Sequence, residues 1–464
     1  MVANERIANQ SALAADTLGA AVAATPGVSD WQIDTIHDEE AQLYLIGDRT
    51  EARRDVTNER ARVTLYNDHP AQAGEGQARG ATTLTFLASD IAHPDLLAAR
   101  LNDGVTIASL TDNPPYTLPQ PAAGGYPRVE TQDPALQGEM DAALATVMAR
   151  LQAAVAGERN VRLSSAELYA TRTSATLRNS RGISAASQGT RVMLDFVLIA
   201  SAGGREAEFH GEFYRRRLAD LVIEDIVRAY ATFARHSLSA QTPPTVRGPV
   251  LLSGEALSNL FNPSVGLGFG GPYTFHTSAE AAYQQLSRLT PGEFVTGAEP
   301  RGDRLTVSSD PLRPFGVETH AFDGEGLPAA RVTVVENGVF ARRWADTRYA
   351  TYLDIPPTGA FANITVRPGA TPIADLRSAS GGPLYEIASF SWMNPDNVSG
   401  DFVAEIKLGY RHDASGTHPI KGGSLAGNVF SAFADARLSS ETYSDGVYYG
   451  PAAVRFAELT IAGA

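Results

Sequence analysis

The chain of 464 residues is 43% hydrophobic, 19% charged and 8% aromatic, a composition that buries a large core and excludes a disordered tail or a collagen-like rod. Its 38 Lys and Arg against 52 Asp and Glu leave a net charge of −14, which argues against a nucleic-acid footprint because phosphate binding needs a basic face. With no cysteine in the chain, a disulfide framework, a thiol nucleophile, an iron–sulfur cluster and a thiolate metal ligand are all excluded.

Residues 1–25 mix Glu5, Arg6, Asn9, Gln10 and Asp16 with alanines and lack the basic start and unbroken apolar stretch of a secretion signal. They are expected to form an amphipathic helix with Ile7, Leu13, Leu18 and Val22 near one face. No apolar run of about 18 residues occurs, so no membrane span is expected, and the cytoplasm is the expected compartment. Period-two alternation predicts strands over residues 31–36, 41–46, 60–66 and 82–87, separated by charged or Gly-rich turns, in one antiparallel sheet. A helix is predicted over 94–101. Pro114, Pro115, Pro119, Pro121 and Pro127 make 113–127 a loop. A second helix is predicted over 134–155, with Pro134 in its first turn and Leu136, Met140, Leu144, Val147, Met148 and Leu151 at core spacing. Strands follow over 160–168, 174–179, 189–200 and 207–214. A helix over 218–236 carries Leu221, Ile226, Tyr230 and Phe233 on one face.

The polar, proline-ending stretch 239–244 sets the expected boundary between an N-terminal α/β domain, 1–240, and a C-terminal β-rich domain, 241–464. Residues 250–252 read as a short buried strand and 254–260 as a helix. Many short strands then alternate with turn signals, the clearest being the hairpin of 332–335 and 339–344 around Asn337-Gly338. The expected fold class is α+β, with a mainly antiparallel N-terminal sheet and a curved or barrel-like C-terminal sheet.

Chemistry is sparse. No two of the nine histidines stand three to five residues apart, so there is no local zinc-helix motif. His210 and Glu212 share a strand face, and His412 and His418 flank Ser415-Gly416 on two arms of a hairpin. These four residues form the one conceivable cryptic metallohydrolase set, and an exposed strand pair or a solvated turn explains them as well. There is no Gly-x-Ser-x-Gly elbow. Gly266, Gly268, Gly270 and Gly271 lack the Lys-Ser or Lys-Thr of a phosphate loop and read as a surface loop. Residues 419–429 read as a strand, a double-Gly turn and a helix start capped by Ser424.

The order of several motifs resembles the TldD/PmbA (TldD/TldE) family of peptidase subunits. They are Leu177 to Gly182, Gly248 to Leu252, Phe322 to Pro328 with Val335 to Val339, Asn394-Pro395 with Ser399 to Phe402, and Pro419 to Asn428. The resemblance implies an α/β N-terminal domain, a mainly β C-terminal domain and a two-subunit assembly enclosing a channel. In the family's catalytic subunit, a His-Glu-x-x-x-His helix follows the Gly-Pro-Val strand. Its histidines bind metal, its Glu acts as general base, and a cysteine in a late Gly-rich turn is the third ligand. Here the equivalent stretch, Leu252 to Asn259, has neither histidine, and the equivalent turn, Asp445 to Gly450, has no cysteine.

The resemblance therefore implies the TldE/PmbA type, which has no catalytic or metal-ligating residue and binds no cofactor. The metal, zinc above all, is expected in a TldD-like partner. Glu255 is read as a helix surface residue without a base role. Candidate peptide-channel residues are Ser253, Ser258, Asn428, Tyr448 and Tyr449. The expected partners are the TldD-like subunit and a peptide held by strand addition. The alternative is a homodimeric peptide-binding or scaffold protein without proteolytic activity.

Overall fold

The computed structural model describes residues 16–72, 74–261, 271–378 and 382–463. Helix α1, described over 16–24, buries Leu18 and Val22 as expected. Ile7, Leu13 and the glycines Gly266, Gly268 and Gly270 lie outside the described residues. Three long strands follow, β1 (Asp30–Ile46), β2 (Arg49–Pro70) and β3 (Gln77–Leu87). Helices α2 (Ala88–Ile91), α3 (Pro94–Ala108) and α4 (Met140–Ala156) lead to β4 (Val161–Asn179), β5 (Ser184–Ala202), β6 (Arg205–Arg215) and α5 (Ile223–Ser237). The strands form one six-stranded sheet in the order β3-β2-β1-β4-β5-β6, antiparallel throughout.

The strands are longer than their apolar periodicity predicts. Residues 31–36 and 41–46 are one strand, because His37 to Glu40 continue the ladder and do not turn. Both neighbours hold this polar stretch, β2 through Arg60, 3.6 Å from Asp38, and β4 through three residues. Thr173 Oγ1 donates to Asp38 at 2.6 Å, Thr171 Oγ1 donates to Glu40 at 2.9 Å, and Arg172 pairs with Glu39 at 2.7 Å. The same bonds fuse 160–168 and 174–179 into β4, since a polar residue with partners on both sides need not leave a sheet.

The helix expected over 134–155 is broken after a single 3₁₀ turn, Pro134–Leu136, and resumes as α4, yet all six expected core residues are buried. Helices α4 and α5 cover one end of one sheet face, and α1 and α3 cover the other end. The opposite face carries Asp34, Ile36, Asp38 and Glu40 of β1 and lines the cavities described below.

From residue 246 onward helices are short. In chain order the elements are β7 (Val246–Ser253), α6 (Gly254–Phe261), α7 (Pro272–His276), α8 (Ala279–Tyr283), β8 (Val307–Ser309), β9 (Val332–Glu336), β10 (Val339–Phe340), α9 (Thr347–Leu353), β11 (Ile364–Val366) and α10 (Ile373–Ser378). They continue as β12 (Leu384–Pro395), β13 (Asp401–Asp413), β14 (Gly416–Ile420), β15 (Ser424–Asn428), α11 (Val429–Ala432), β16 (Arg437–Leu438), β17 (Thr442–Asp445), β18 (Tyr448–Pro451) and β19 (Ala453–Ala462).

Strands β12, β7, β19, β15 and β13 pair in that order, and β13 pairs back to β12, which closes a five-stranded barrel. Closure leaves no free edge around the core of Leu252, Ile387, Phe402, Ile406, Leu425 and Phe456. A second sheet, β10-β9-β8-β11-β18-β17, contains the Asn337-Gly338 hairpin, with φ of +49° and +82° as a type I′ turn requires, but its outgoing strand ends at Phe340 and not at 344. Ser424 begins β15 and is not a helix cap. The cap is Asn428, whose Oδ1 accepts from the N–H groups of Phe430 at 3.1 Å and Ser431 at 3.2 Å.

The two halves are clamped together. The Arg216 guanidinium donates to the carbonyls of Gly316 at 2.6 Å, Val317 at 2.8 Å and Thr319 at 2.9 Å. Leu408 of the barrel packs into the core under α4 and α5. No helix of the described residues is long and apolar enough to cross a membrane.

Candidate functional site

Strand β7 leaves the barrel core through the buried Val250, Leu251 and Leu252 and turns directly into α6 at Gly254, whose φ is +53°. An L side chain is disfavoured in that conformation. Helix α6 buries Ala256, Leu257, Leu260 and Phe261 and turns Glu255, Ser258 and Asn259 toward a cavity of about 230 Å³. The other walls are His210, Gly211, Glu212 and Tyr214 of β6, the Asp445-Gly446 turn between β17 and β18, and Tyr448.

Ionisable groups crowd this cavity and burial governs them. Burial pushes the Glu255 carboxyl up, and Lys407 together with a hydrogen bond from Ser389 Oγ at 3.2 Å offsets this only in part. Burial also raises Asp445, against Arg215, whose Nη1 stands 3.1 Å from Oδ1. Lys407 is shifted down by burial; its Nζ donates to the His210 carbonyl at 3.1 Å and lies 4.4 Å over the Phe209 ring. His210 is shifted up by its hydrogen bond to Asp195, Nε2 to Oδ2 at 2.7 Å. Tyr214 is pushed up to about 12 by burial and by donating to Glu212 Oε1 at 2.6 Å. Glu255 is thus a half-buried wall of the cavity, which corrects its reading as a surface residue.

The donor set does not fit a zinc-type metal. Gly254 has no side chain, Asn259 offers a neutral amide, His210 spends Nε2 on Asp195, and Asp445 is engaged by Arg215. Among the described residues no group of three or more His, Asp or Glu is arranged to hold a metal ion. What the cavity offers is hydrogen bonding to a polar guest from an amide, hydroxyls and carboxyls, of which burial raises Glu255 and Asp445.

The five expected channel residues separate. Ser258 and Tyr448 reach the cavity; Ser258 donates to Glu255 O at 2.9 Å, while the fully buried Tyr448 donates to Pro451 O at 3.0 Å and stacks on Phe261. Ser253 lies on another side of β7 and donates to Glu386 at 2.9 Å. Asn428 caps α11, and Tyr449 lies under Arg313, 3.6 Å from its ring centre. His412 bonds Glu386 at 2.9 Å and His418 bonds Ser415 at 2.9 Å, so neither joins His210 and Glu212. Asn259, Asp445 and Tyr214 were not singled out, although the first two stand in or beside the positions where the resemblance places metal ligands.

Tyr214 also borders a larger groove of about 990 Å³ over the helix-free face of the sheet, lined by Asp38, Glu40, Tyr169, Thr171 and Arg191 among others. A side chamber of about 500 Å³ shares Ile36, Arg191 and Arg216 with it. Tyr214 alone is common to the linings of this groove and of the cavity at α6.

Residues 245–463 match the model of the PmbA/TldA metallopeptidase C-terminal domain. The Escherichia coli O157:H7 protein named metalloprotease PmbA is 27% identical over 190 residues, 40% of this chain and 39% of its own length. The Saccharolobus solfataricus protein named zinc metalloprotease TldD homolog is 22% identical over 223 residues, 45% of this chain and 47% of its own length. The chain thus spans about half the length, or less, of the curated relatives it matches. Over the whole fold, the crystal structure of TldE from Thermococcus kodakarensis superposes with a TM-score of 0.74 at 15% identity, covering 98% of this chain and 100% of that one.

Proposed function

Because this chain belongs to the TldD/PmbA family of metallopeptidase subunits, we propose that it is a TldE-type subunit without metal ligands of its own. In this reading it pairs with a TldD-like zinc metallopeptidase in the cytoplasm and completes the channel in which that partner cleaves peptides. The observation that carries the reading is the strand-to-helix corner at β7 and α6. Glu255 faces a cavity from this corner, and by the resemblance Gly254 and Asn259 correspond to the histidines of a catalytic subunit. The polar groove on the helix-free face of the sheet, which shares Tyr214 with this cavity, supports a role in holding substrate, with chemistry left to the partner.

Sedimentation velocity on the chain mixed with a TldD-like partner tests the pairing. A stable complex is expected, with roughly one metal per pair by plasma mass spectrometry and none in the lone chain. No complex would overturn the pairing. A self-dimer that binds peptide but gains no proteolysis on mixing would favour the scaffold alternative, and stoichiometric metal in the lone chain would overturn the metal-free assignment.

A further inference from the structure

The helices leave a gap on the face of the large sheet that they cover. Alternate residues of a strand share a face, so Ile33, Thr35, His37, Glu39, Ala41 and Leu43 of β1 all stand on the helix side. Ile33 belongs to the core under α1 and α3, and Ala41 and Leu43 belong to the core under α4 and α5. Between the two cores this face turns polar. Thr35, His37 and Glu39 stand opposite Thr176, Ser174 and Arg172 of β4, and Thr176 and Ser174 stand opposite Ala186 and Gln188 of β5. A cavity of about 180 Å³ occupies the gap. Its rim, with Ser174, Gln188 and Gln132, is exposed, whereas Thr35 is buried and the His37 side chain is only 12% exposed.

Much of the cavity wall is satisfied internally. The hydroxyls of Thr35 and Thr176 are 2.6 Å apart, Arg172 Nη1 donates to Gln137 O at 3.0 Å, and Arg172 Nη2 lies 2.7 Å from Glu39 Oε2. Three buried nitrogens differ. Both ring nitrogens of His37 and Nε of Arg172 have no hydrogen-bond partner among the described residues. Glu39 Oε1 stands 3.9 Å from His37 Nε2, too far for a hydrogen bond. A buried donor or acceptor without a partner keeps its full desolvation cost, so these groups favour a guest that bonds them. An uncharged imidazole presents one donor and one acceptor, the guanidinium adds a donor and the carboxylate an acceptor.

We infer that the gap between the two cores binds a free α-amino acid. Its ammonium donates to Glu39 Oε1, and its carboxylate accepts from Arg172 Nε and the His37 ring. Of the described residues that line the cavity, Glu39 and Arg172 alone carry fixed charge, one of each sign. That balance favours a guest with both charges on one small frame over a simple anion or cation. The 180 Å³ equals the volume of about six waters at ~30 Å³ each, which suits a small polar amino acid and is too little for an extended peptide. Peptide hydrolysis is the class of reaction that releases such a ligand. That source rests on the proposed function, and the site itself does not.

The test is isothermal titration of the full chain with L-serine, L-threonine and L-asparagine. At least one is expected to bind with a Kd on the order of 100 µM. The N-acetyl and carboxamide derivatives of the best binder each lack one charge and are expected to bind about 10-fold more weakly. His37→Phe removes the two ring nitrogens, and Ala186→Phe fills the cavity from the exposed rim beside Thr176. Each variant is expected to weaken binding at least about 10-fold without a lower melting temperature. No binding of the three amino acids at about 10 mM, equal binding of the blocked derivatives, or wild-type affinity in either variant overturns the inference. Complex formation with a TldD-like partner is scored separately, so loss of pairing sinks the subunit reading and leaves the amino-acid site standing.

Discussion

At Glu386 one buried carboxylate accepts from Arg377 at 2.7 and 2.8 Å, from His412 at 2.9 Å and from Ser253 at 2.9 Å. Burial works against its charge, but the bonds from His412, Arg377 and Ser253 outweigh it and hold the carboxyl down at about 2. A depressed carboxyl stabilises the fold above its unfolded pKa and loses that contribution as pH falls through the folded one. Glu386→Gln is therefore expected to cost about 3 kcal/mol in urea unfolding at pH 7, with the gap to wild type narrowing from pH 4.5 toward pH 2. Ser253 looked like a channel residue because it precedes the helix of the missing histidines, and strand alternation places it on the Glu386 side. Gly254 leads to a second expectation. Its open surroundings admit a Cβ, whose nearest neighbour would be Tyr443 Cζ at 4.0 Å, but its φ of +53° opposes one. Gly254→His is expected to lower stability by about 1 to 2 kcal/mol, while Asn259→His, inside α6, costs less. Thermal melts of the two single variants check this.

Among the elements, the helices and the C-terminal hairpin were the most legible. The core face of α4 was readable because Met140, Leu144, Val147, Met148 and Leu151 repeat at helical spacing, whereas Leu136 falls in the 3₁₀ turn that precedes the helix. The strands were legible in place but not in length. His37 to Glu40 and Thr171 to Thr173 are polar, and only their partners across the sheet show that the ladder continues. The strand-to-helix corner at 250–260 was legible from its residues, and only its comparison with a metal-binding corner needed the resemblance. The cavity around it was not, because His210 and Glu212 of β6 approach Asp445 from more than two hundred residues away in sequence. The Asn337-Gly338 hairpin gives an expectation at this scale. Gly338→Ala meets a φ of +82° with Pro300 Cγ 3.5 Å from the new Cβ, and is expected to cost about 1 kcal/mol by denaturant unfolding.

For the molecule as a whole, Arg216 ties the large sheet to the segment that precedes β9. Burial lowers its pKa to about 10, so the guanidinium stays charged at neutral pH while its hydrogen bonds go to three carbonyls. Arg216→Ala leaves those carbonyls unpaired and is expected to cost about 2 to 4 kcal/mol. It is also expected to split one calorimetric transition into two, and Arg216→Lys, whose ammonium lacks the planar fork, restores little. The barrel has a consequence in time. Strand β19 lies between β7 and β15, and its Ile461 pairs with Val246 at the start of the same half. During synthesis the six-stranded sheet can therefore assemble from residues 30–215 while the barrel stays an open set of strands. Until residues 453–462 leave the ribosome, β7 and β15 keep unsatisfied edges, so a chain stopped before them exposes the sticky interior of a barrel it cannot close.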